Sequence, residues 1–590
     1  MPLDAAAPLE NAFAPQPVAQ GAAGDAASPD AVGRLARSIA RGASKVNVKA
    51  QKKALERLRA ALTAIRARDF DKGVAEALEA LRLDERNGLA WHILAICQEK
   101  LGRTAPALTA YEAALKLLPD ETDVAHDLGR LAQRLGYLEI AEKLLGKYLA
   151  ARPGHLEATN NLACVQRDQS RYGEAVETLR TMIQMRPESP ILWNTLGTVL
   201  SDQGDSAQAL IFFEEALRLD ETFSKARYNR ANVRLPLGDA EGALSDLEAA
   251  AAGAEPGYES AMMAMARAMT LMGMGRIGEG FDAYEARLNP FLPDAMRVAA
   301  DAPRWKPDVE PIAGKRLLVV GEQGIADEMI FGACLQEVID AVGPGGQVYV
   351  AVEARLVAMF QRSFPTAVVG AHKAIRLEGR LTRFMPFMDD VKIDHWTPMA
   401  SLMALYRREL ADFPDRDGYL TPDPGRVAHW RKVVADLGPG FKVGLHWKSL
   451  VLRGVRARYF SSFSRWEPVL TAPGCVMVNL QCGDTVDDLA EAAAAGVSIW
   501  TPPIDLREDL EDLAALSCAL DLVIGPGIAG TNIAAAVGAR TWLVHAPDDW
   551  HLLGTDHYPF YPRVRTFATG GFDGWPRAIE AMRGALEESR

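Results

Sequence analysis

The sequence predicts a multidomain chain, an all-helical solenoid of repeats followed by an α/β region of two parallel-sheet lobes. Three observations carry this. Small residues recur every 34 positions through the first half, and short β-branched runs alternate with amphipathic stretches in the second. A Pro/Gly/Asp-rich join at residues 415–425 then divides that second half in two. A length of 590 residues calls for several cores. The balance of 65 Lys+Arg against 77 Asp+Glu leaves −12, so no general attraction to nucleic acid or an anionic membrane is expected. At 49% hydrophobic and 24% charged residues, most of the chain can bury a core, which excludes wholesale disorder. The six cysteines are scattered, with no CxxC pair and no histidine cluster at metal spacing, so reduced thiols and no structural metal are expected. Neither a basic segment leading into an apolar core at the start nor a run of about 18 apolar residues occurs, and a cytoplasmic protein without a membrane span is expected.

Residues 1–30 are Ala, Pro, Gly and Gln with few large apolar side chains, and are expected to form a disordered leader. Residues 31–53 read as a basic helical arm (Arg34, Arg37, Arg41, Lys45, Lys49, Lys52, Lys53), either a solvated helix face or a partner-docking segment.

The repeats occupy residues 54–288. Glycine stands at Gly102, Gly136, Gly204 and Gly238, with Ser170 filling the gap, and alanine keeps the same 34-residue phase at Ala107, Ala141, Ala175, Ala209 and Ala243. The first series permits a tight turn between two helices, and the second lets them approach closely. Trp91 and Trp193, the leucines at 94, 128, 162 and 196, and Pro119, Pro153 and Pro187 keep phase as well. This resembles the tetratricopeptide repeat, which implies helical pairs stacked into a superhelix with a concave peptide-binding face. Asp127, Asn161, Thr195 and Asn229 form a further 34-residue series. They are candidate acceptor-binding residues, a ladder able to hydrogen-bond an extended peptide backbone, or else ordinary polar positions on an exposed face.

A Pro-rich linker with Trp305 follows over residues 289–313. Residues 314–424 and 425–590 then form the two lobes. The runs RLLVV, QVYVAV and TAVVG mark strands of the first, and FKVGLHW, VMVNLQ, VSIW, DLVIG and TWLVHA those of the second. Two facing Rossmann-like lobes are expected, with ligands at the carboxyl ends of their strands.

Three loops sit at such ends. Gly321 to Glu328 follows RLLVV and carries Asp327, a candidate base for a hydroxyl proton or else a carboxylate favoured by a helix N-terminus. Lys448 to Trp466 is basic, with Lys448 and Arg453 nearest the strand and suited to a leaving phosphate, or simply solvated. Gly525 to Asn532 is a glycine-rich turn whose free N–H groups at Gly527 and Gly530, with Thr531 and Asn532, could cradle phosphate or form an ordinary tight turn.

The stretches WKPDVEPIAGKRLLVVGEQGIADEMIFG, VGLHWKS, DLEDLAALSCALDLVIGPGIAGTNIAAAVGARTWLV and DDWHLLGTDHYPFYPRVRTF resemble the catalytic region of bacterial tetratricopeptide glycosyltransferases. The resemblance implies the GT-B fold, a donor bound mainly by the second lobe, no metal, and kinship with heptosyltransferases and O-linked N-acetylglucosamine transferases. It is strongest to flagellin glycosyltransferases, which implies a polypeptide acceptor, flagellin, held by the repeats, and a nucleotide-sugar donor, a CMP-linked nonulosonic acid such as pseudaminic acid. By the same resemblance Asp327 is the base, Lys448 meets the donor phosphate, and Gly525 to Asn532 is the phosphate loop. Gly527 and Asn532 replace the Asp and His usual there, and Ala326 replaces a glycine. The altered loop also suits a second expectation, a binding or export-chaperone protein whose glycosyltransferase region is inactive.

Overall fold

The computed structural model describes residues 48–377, 380–450, 459–571 and 574–589, so the leader and most of the basic arm lie outside the described residues. The described residues divide into two compact units, the first ending at Glu221 and the second beginning at Thr222.

The described part of the first unit is helical. It runs α1 (Val48–Arg66), α2 (Phe70–Leu83), α3 (Gly88–Lys100), α4 (Thr104–Leu117), α5 (Thr122–Arg134), α6 (Leu138–Ala151), α7 (Leu156–Asp168), α8 (Tyr172–Met185), α9 (Pro190–Gln203) and α10 (Ser206–Leu219). Asp69, Asn87 and Asp205 cap α2, α3 and α10 through their side chains. The alanine series does what its spacing implies, since Ala107, Ala141, Ala175 and Ala209 are all 0% exposed. Trp91 and Trp193 clamp the start of their repeats by donating Nε1–H to the carbonyls of Glu85 (2.9 Å) and Pro187 (2.7 Å).

The turn positions are left-handed throughout, with φ of 72° at Gly102, 80° at Gly136 and 102° at Gly204. Ser170 (φ 61°) and Arg68 (φ 58°) adopt the same conformation without being glycine, and a side chain there costs energy that glycine does not incur. Replacing the exposed Ser170 by Gly is expected to stabilise the first unit by about 0.5–1 kcal/mol, read as a higher urea midpoint of the full chain.

In the second unit α11 (Ser224–Arg234), α12 (Ala240–Ala252), α13 (Tyr258–Gly273) and α14 (Ile277–Ala283) continue the repeat pattern, with Gly238 at φ 86° and Ala243 fully buried. The unit boundary therefore falls inside the repeat run and not at its end. The reason is visible in α13, whose sequence YESAMMAMARAMTLMG is apolar on more than one face. Met265, Met272, Phe281 and Tyr284 share one core with Phe331, Trp550 and Leu553 of the α/β part.

Two parallel sheets and one small sheet follow. The strands are β1 (Arg297–Val298), β2 (Arg316–Val320), β3 (Gln347–Val352), β4 (Val368–Ala371), β5 (Lys373–Leu377), β6 (Arg380–Phe384) and β7 (His395–Pro398), then β8 (Phe441–Leu445), β9 (Cys475–Asn479), β10 (Ile499–Trp500), β11 (Leu522–Pro526), β12 (Thr541–His545) and β13 (Arg565–Ala568). The first sheet runs β4-β3-β2-β7 and the second β10-β9-β8-β11-β12-β13, parallel throughout. Strands β11 and β12 are buried along their whole length, as continuous apolar runs in a doubly covered sheet should be. The small sheet β1-β6-β5 contains the antiparallel pair β5/β6. No helix of the described residues is long and apolar enough to cross a membrane.

Candidate functional site

Counted within its own lobe, the second sheet has the strand order 3-2-1-4-5-6, so its order reverses between β8 and β11. The first sheet reverses between β2 and β7. Ligands of open parallel sheets lie at the carboxyl ends of strands at such points, and the three loops singled out above follow β2, β8 and β11.

The loop after β2 leads into the helix Ile325–Phe331 and carries three carboxylates with different fates. Glu322 receives the buried Arg287 guanidinium at 2.9 Å on each oxygen, and one of those oxygens also accepts the Ala400 N–H at 2.8 Å. Glu328 receives His372 (2.8 Å), Arg383 (3.1 Å) and the Glu353 N–H (2.8 Å). Among the described residues, Asp327 meets no cation at hydrogen-bond distance. It accepts only the Gly324 N–H, at 3.1 Å, and is 6% exposed. Burial pushes its carboxyl up to about 6, His551 and the Gly324 N–H oppose the rise, and Glu322 and Glu328 add to it. Asp327 is thus both the cap of its helix and an acid poised near neutrality. The loop itself is held against strain, for Gln323 lies at φ 60°. Its amide donates to the Tyr284 hydroxyl at 2.9 Å, and Arg383 donates to the carbonyls of Gly321 and Gln323.

Asp327 opens onto a cleft of about 190 Å³ whose lining includes Met269, Tyr284, Gly527, Asn532, Asp549, His551 and Tyr558. The cleft joins the last repeat helices to both sheets within the second unit. Gly530 and Lys448 line a neighbouring cavity with His446, Arg355, Ser449 and Arg507. A Cβ on Gly530 would stand 2.2 Å from His446 Cε1, so glycine is required there to admit the imidazole. His446 is 2% exposed, both its ring nitrogens lack partners among the described residues, and burial lowers it to about 3.

The sequence-predicted donor residues are therefore split. Gly527 and Asn532 share the cleft with Asp327, while Gly530 and Lys448 lie next door. Thr531 is 0% exposed, and Asn532 turns its amide nitrogen back onto the Ile528 carbonyl at 2.9 Å, so neither presents the side-chain donor expected of it. Their helix, Ala529–Ala536, packs against Ile325–Phe331 and buries both. The Lys448 ammonium pairs with Asp488. Arg453 lies outside the described residues.

The polar series of the repeats turns inward. His92 Nε2 lies 2.8 Å from Asp127 Oδ2, and the Thr195 hydroxyl donates to Asn160 Oδ1 at 2.6 Å. His92, His126, Asn160 and Asn194 are a second series of 34, one residue out of phase, and were not singled out from the sequence. Thr195 (0%), Asn161 (4%) and, in the second unit, Asn229 (8%) are buried. Burial opposes the charge of Asp127, yet bonds from His126 and His92 hold its carboxyl far below the ordinary range. Asp127 and Thr195 each join their repeat to the one before it, because the spacing that would line a groove is also the spacing that stacks one helix on the next.

A second feature missed in the sequence is the pair Asp549 and His551, joined at 2.6 Å through Nδ1, with the Tyr558 hydroxyl donating to the other Asp549 oxygen at 2.6 Å. An Asp-x-His spacing on a loop after a parallel strand was the available signal.

The tetratricopeptide repeat family model matches residues 58–122, 126–190, 160–224 and 194–259. Human protein O-mannosyl-transferase TMTC3 is 26% identical over 191 residues, which is 30% of this chain and 21% of that protein. Among solved structures, the type IV pilus biogenesis factor PilW is similar at 22% identity and TM-score 0.31, over 33% of this chain and 90% of its own. A tetratricopeptide repeat protein from Parabacteroides merdae is similar at 18% identity and TM-score 0.34, over 41% of this chain and 91% of its own. Protein FlbA of Caulobacter vibrioides is 45% identical over 570 residues, spanning 96% of this chain and 94% of that protein. At that identity and coverage, the chain belongs to the family of Caulobacter vibrioides Protein FlbA.

Proposed function

We propose that the chain is a protein O-glycosyltransferase whose two parallel-sheet lobes work as a GT-B catalytic region and whose repeats hold a polypeptide acceptor, flagellin in the reading the sequence resemblance favours. The observation that carries it is Asp327. Of the three carboxylates on its loop it alone meets no cation at hydrogen-bond distance among the described residues, it faces a cleft, and its affinity for a proton suits a general base at neutral pH. Across that cleft lie Gly527 and the turn after β11, at the switch point where nucleotides bind in sheets of this order. A Ser or Thr hydroxyl gives its proton to Asp327 and attacks the anomeric carbon of a nucleotide sugar, in this reading a CMP-linked nonulosonic acid. The bond to the phosphate breaks and its electron pair leaves with the nucleotide. Holding the acceptor on the repeats raises its effective concentration at the cleft.

A binding or export-chaperone role without transfer draws on one observation, that Lys448 is spent on Asp488 and the side chains of Thr531 and Asn532 are withdrawn from the cleft. Intact-mass measurement of flagellin from cells with and without the protein decides between the two. The transferase reading expects flagellin from cells lacking it to be lighter by whole multiples of one sugar residue. An unchanged mass overturns that reading.

A further inference from the structure

The pair Asp549 and His551 stands half-buried on its loop, beside the buried Trp550. Asp549 Oδ1 takes the His551 Nδ1–H at 2.6 Å and Oδ2 takes the Tyr558 hydroxyl at 2.6 Å, so both carboxylate oxygens are committed. The imidazole is clamped between two rings, Trp550 at a centroid distance of 3.8 Å and 26° and Tyr558 at 5.7 Å and 17°. Fixing Nδ1 as the donor leaves Nε2 as the working atom. Nε2 has no hydrogen-bond partner among the described residues, and the ring lines the cleft that Asp327 faces. It stands on the loop after β12, next to the turn after β11, on the side of the cleft where a departing nucleotide would sit.

We propose that His551, oriented by Asp549, is the residue that binds the leaving phosphate of the nucleotide donor, as an imidazolium donating Nε2–H to a phosphate oxygen. The inference rests on the glycosyltransferase reading and deepens it. As the anomeric carbon–oxygen bond breaks, negative charge grows on the phosphate, and a preorganised cation in a partly buried cleft stabilises that charge more than it stabilises the intact donor. Lys448, one of the two basic residues expected there from the sequence, is paired with Asp488. Although burial opposes the ionisation of Asp549, His551 and the Tyr558 hydroxyl hold its carboxyl down to about 2, so it stays an anion beside the ring. The pair then divides the labour with Asp327, which receives the hydroxyl proton on the acceptor side.

Among the described residues, the titratable groups that line the cleft with the ring are Asp327 from the helix Ile325–Phe331, Tyr284 from the end of the repeats, and Tyr459, His545, Asp548, Asp549 and Tyr558 from its own lobe. Asp327 and the nucleotide phosphate both gain charge between pH 6 and 8, so the informative quantity is the difference between wild type and variant at each pH. The experiment is calorimetric titration of the full chain with CMP, UMP, GMP and AMP from pH 5.5 to 8.5, with thermal melting to verify folding. At least one nucleotide is expected to bind the wild type. His551→Gln should weaken that nucleotide about tenfold at pH 6 and much less at pH 8. Asp549→Asn should keep binding at low pH but move its midpoint downward, which a merely structural role would not do. A folded His551→Gln variant with wild-type affinity and pH dependence overturns the role of His551 and leaves the glycosyltransferase reading standing. If none of the four nucleotides binds the wild type, both fall together.

Discussion

Asp327→Asn is expected to abolish sugar transfer and, at the same time, to make the second unit more stable above neutral pH. The sign follows from the direction of the shift. The carboxyl of Asp327 is raised from 3.8 to about 6, chiefly by burial, so the folded state binds its proton more tightly than the unfolded state. Stability from this group is whole below about pH 4 and is lost as pH rises through about 6. A shift of that size corresponds to a folding penalty of about 1–3 kcal/mol at pH 8. Asparagine keeps an oxygen for the Gly324 N–H and never ionises, so urea unfolding should find the variant more stable by that margin at pH 8 and equal to the wild type at pH 4. Transfer should fall by about 10²-fold or more, the usual worth of a general base. Were Asp327 only a helix-cap carboxylate favoured by the macrodipole, the same substitution would lose about 0.3–1 kcal/mol. The sign of the stability change therefore tells whether burial or the helix terminus governs this carboxyl, and the loss of transfer tests its role as base.

The contrast among the three carboxylates of that loop shows where sequence reading stops. Glu322, Asp327 and Glu328 look alike in a list of acidic residues after a strand. What distinguishes them are Arg287, His372 and Arg383, which lie 35, 44 and 55 positions away from the groups they neutralise. No local pattern encodes such partners. The repeats were legible because each unit meets mainly its neighbours, so a 34-residue phase in the sequence is also a contact in space. Even there, Arg68 holds the left-handed turn 34 residues before Gly102 and carries no glycine to announce it. The strands seen in advance, such as LVIG and WLVH, are those covered on both faces. Strands β5, β7 and β13 are exposed or begin with His or Arg, and nothing in their composition separates them from loop. The burial of Thr531 and Asn532 was equally hidden, since it depends on a helix from the other lobe lying across them.

The largest loss of stability is expected from Arg287→Met. Arg287 follows the last repeat helix, is 3% exposed, and grips both oxygens of Glu322, itself 2% exposed, while one nitrogen also reaches the Ser401 hydroxyl at 2.8 Å. Methionine fills most of the same space, so packing is largely kept and the change isolates the charge. It leaves the Glu322 carboxylate in the core with one backbone N–H, from Ala400, as its remaining donor. Breaking a buried pair from one side in this way costs about 3–5 kcal/mol, because desolvation of the remaining ion is no longer offset. Pairing it with Glu322→Gln should recover most of that loss, since the amide oxygen can still accept the Ala400 N–H and no charge is buried. Thermal or urea unfolding of the two single variants and the double variant measures the coupling directly. A single Arg287→Met cost under about 1 kcal/mol would mean that Glu322 reaches water or another donor, and that the loop bearing Asp327 is not anchored through this pair. If the coupling is as large as expected, the residues just after the repeats do more than connect. They set the position of the loop on which Asp327 stands, and a disturbance of α14 and the turn at Tyr284–Leu288 would reach the cleft through two side chains, Arg287 on Glu322 and Tyr284 on Gln323.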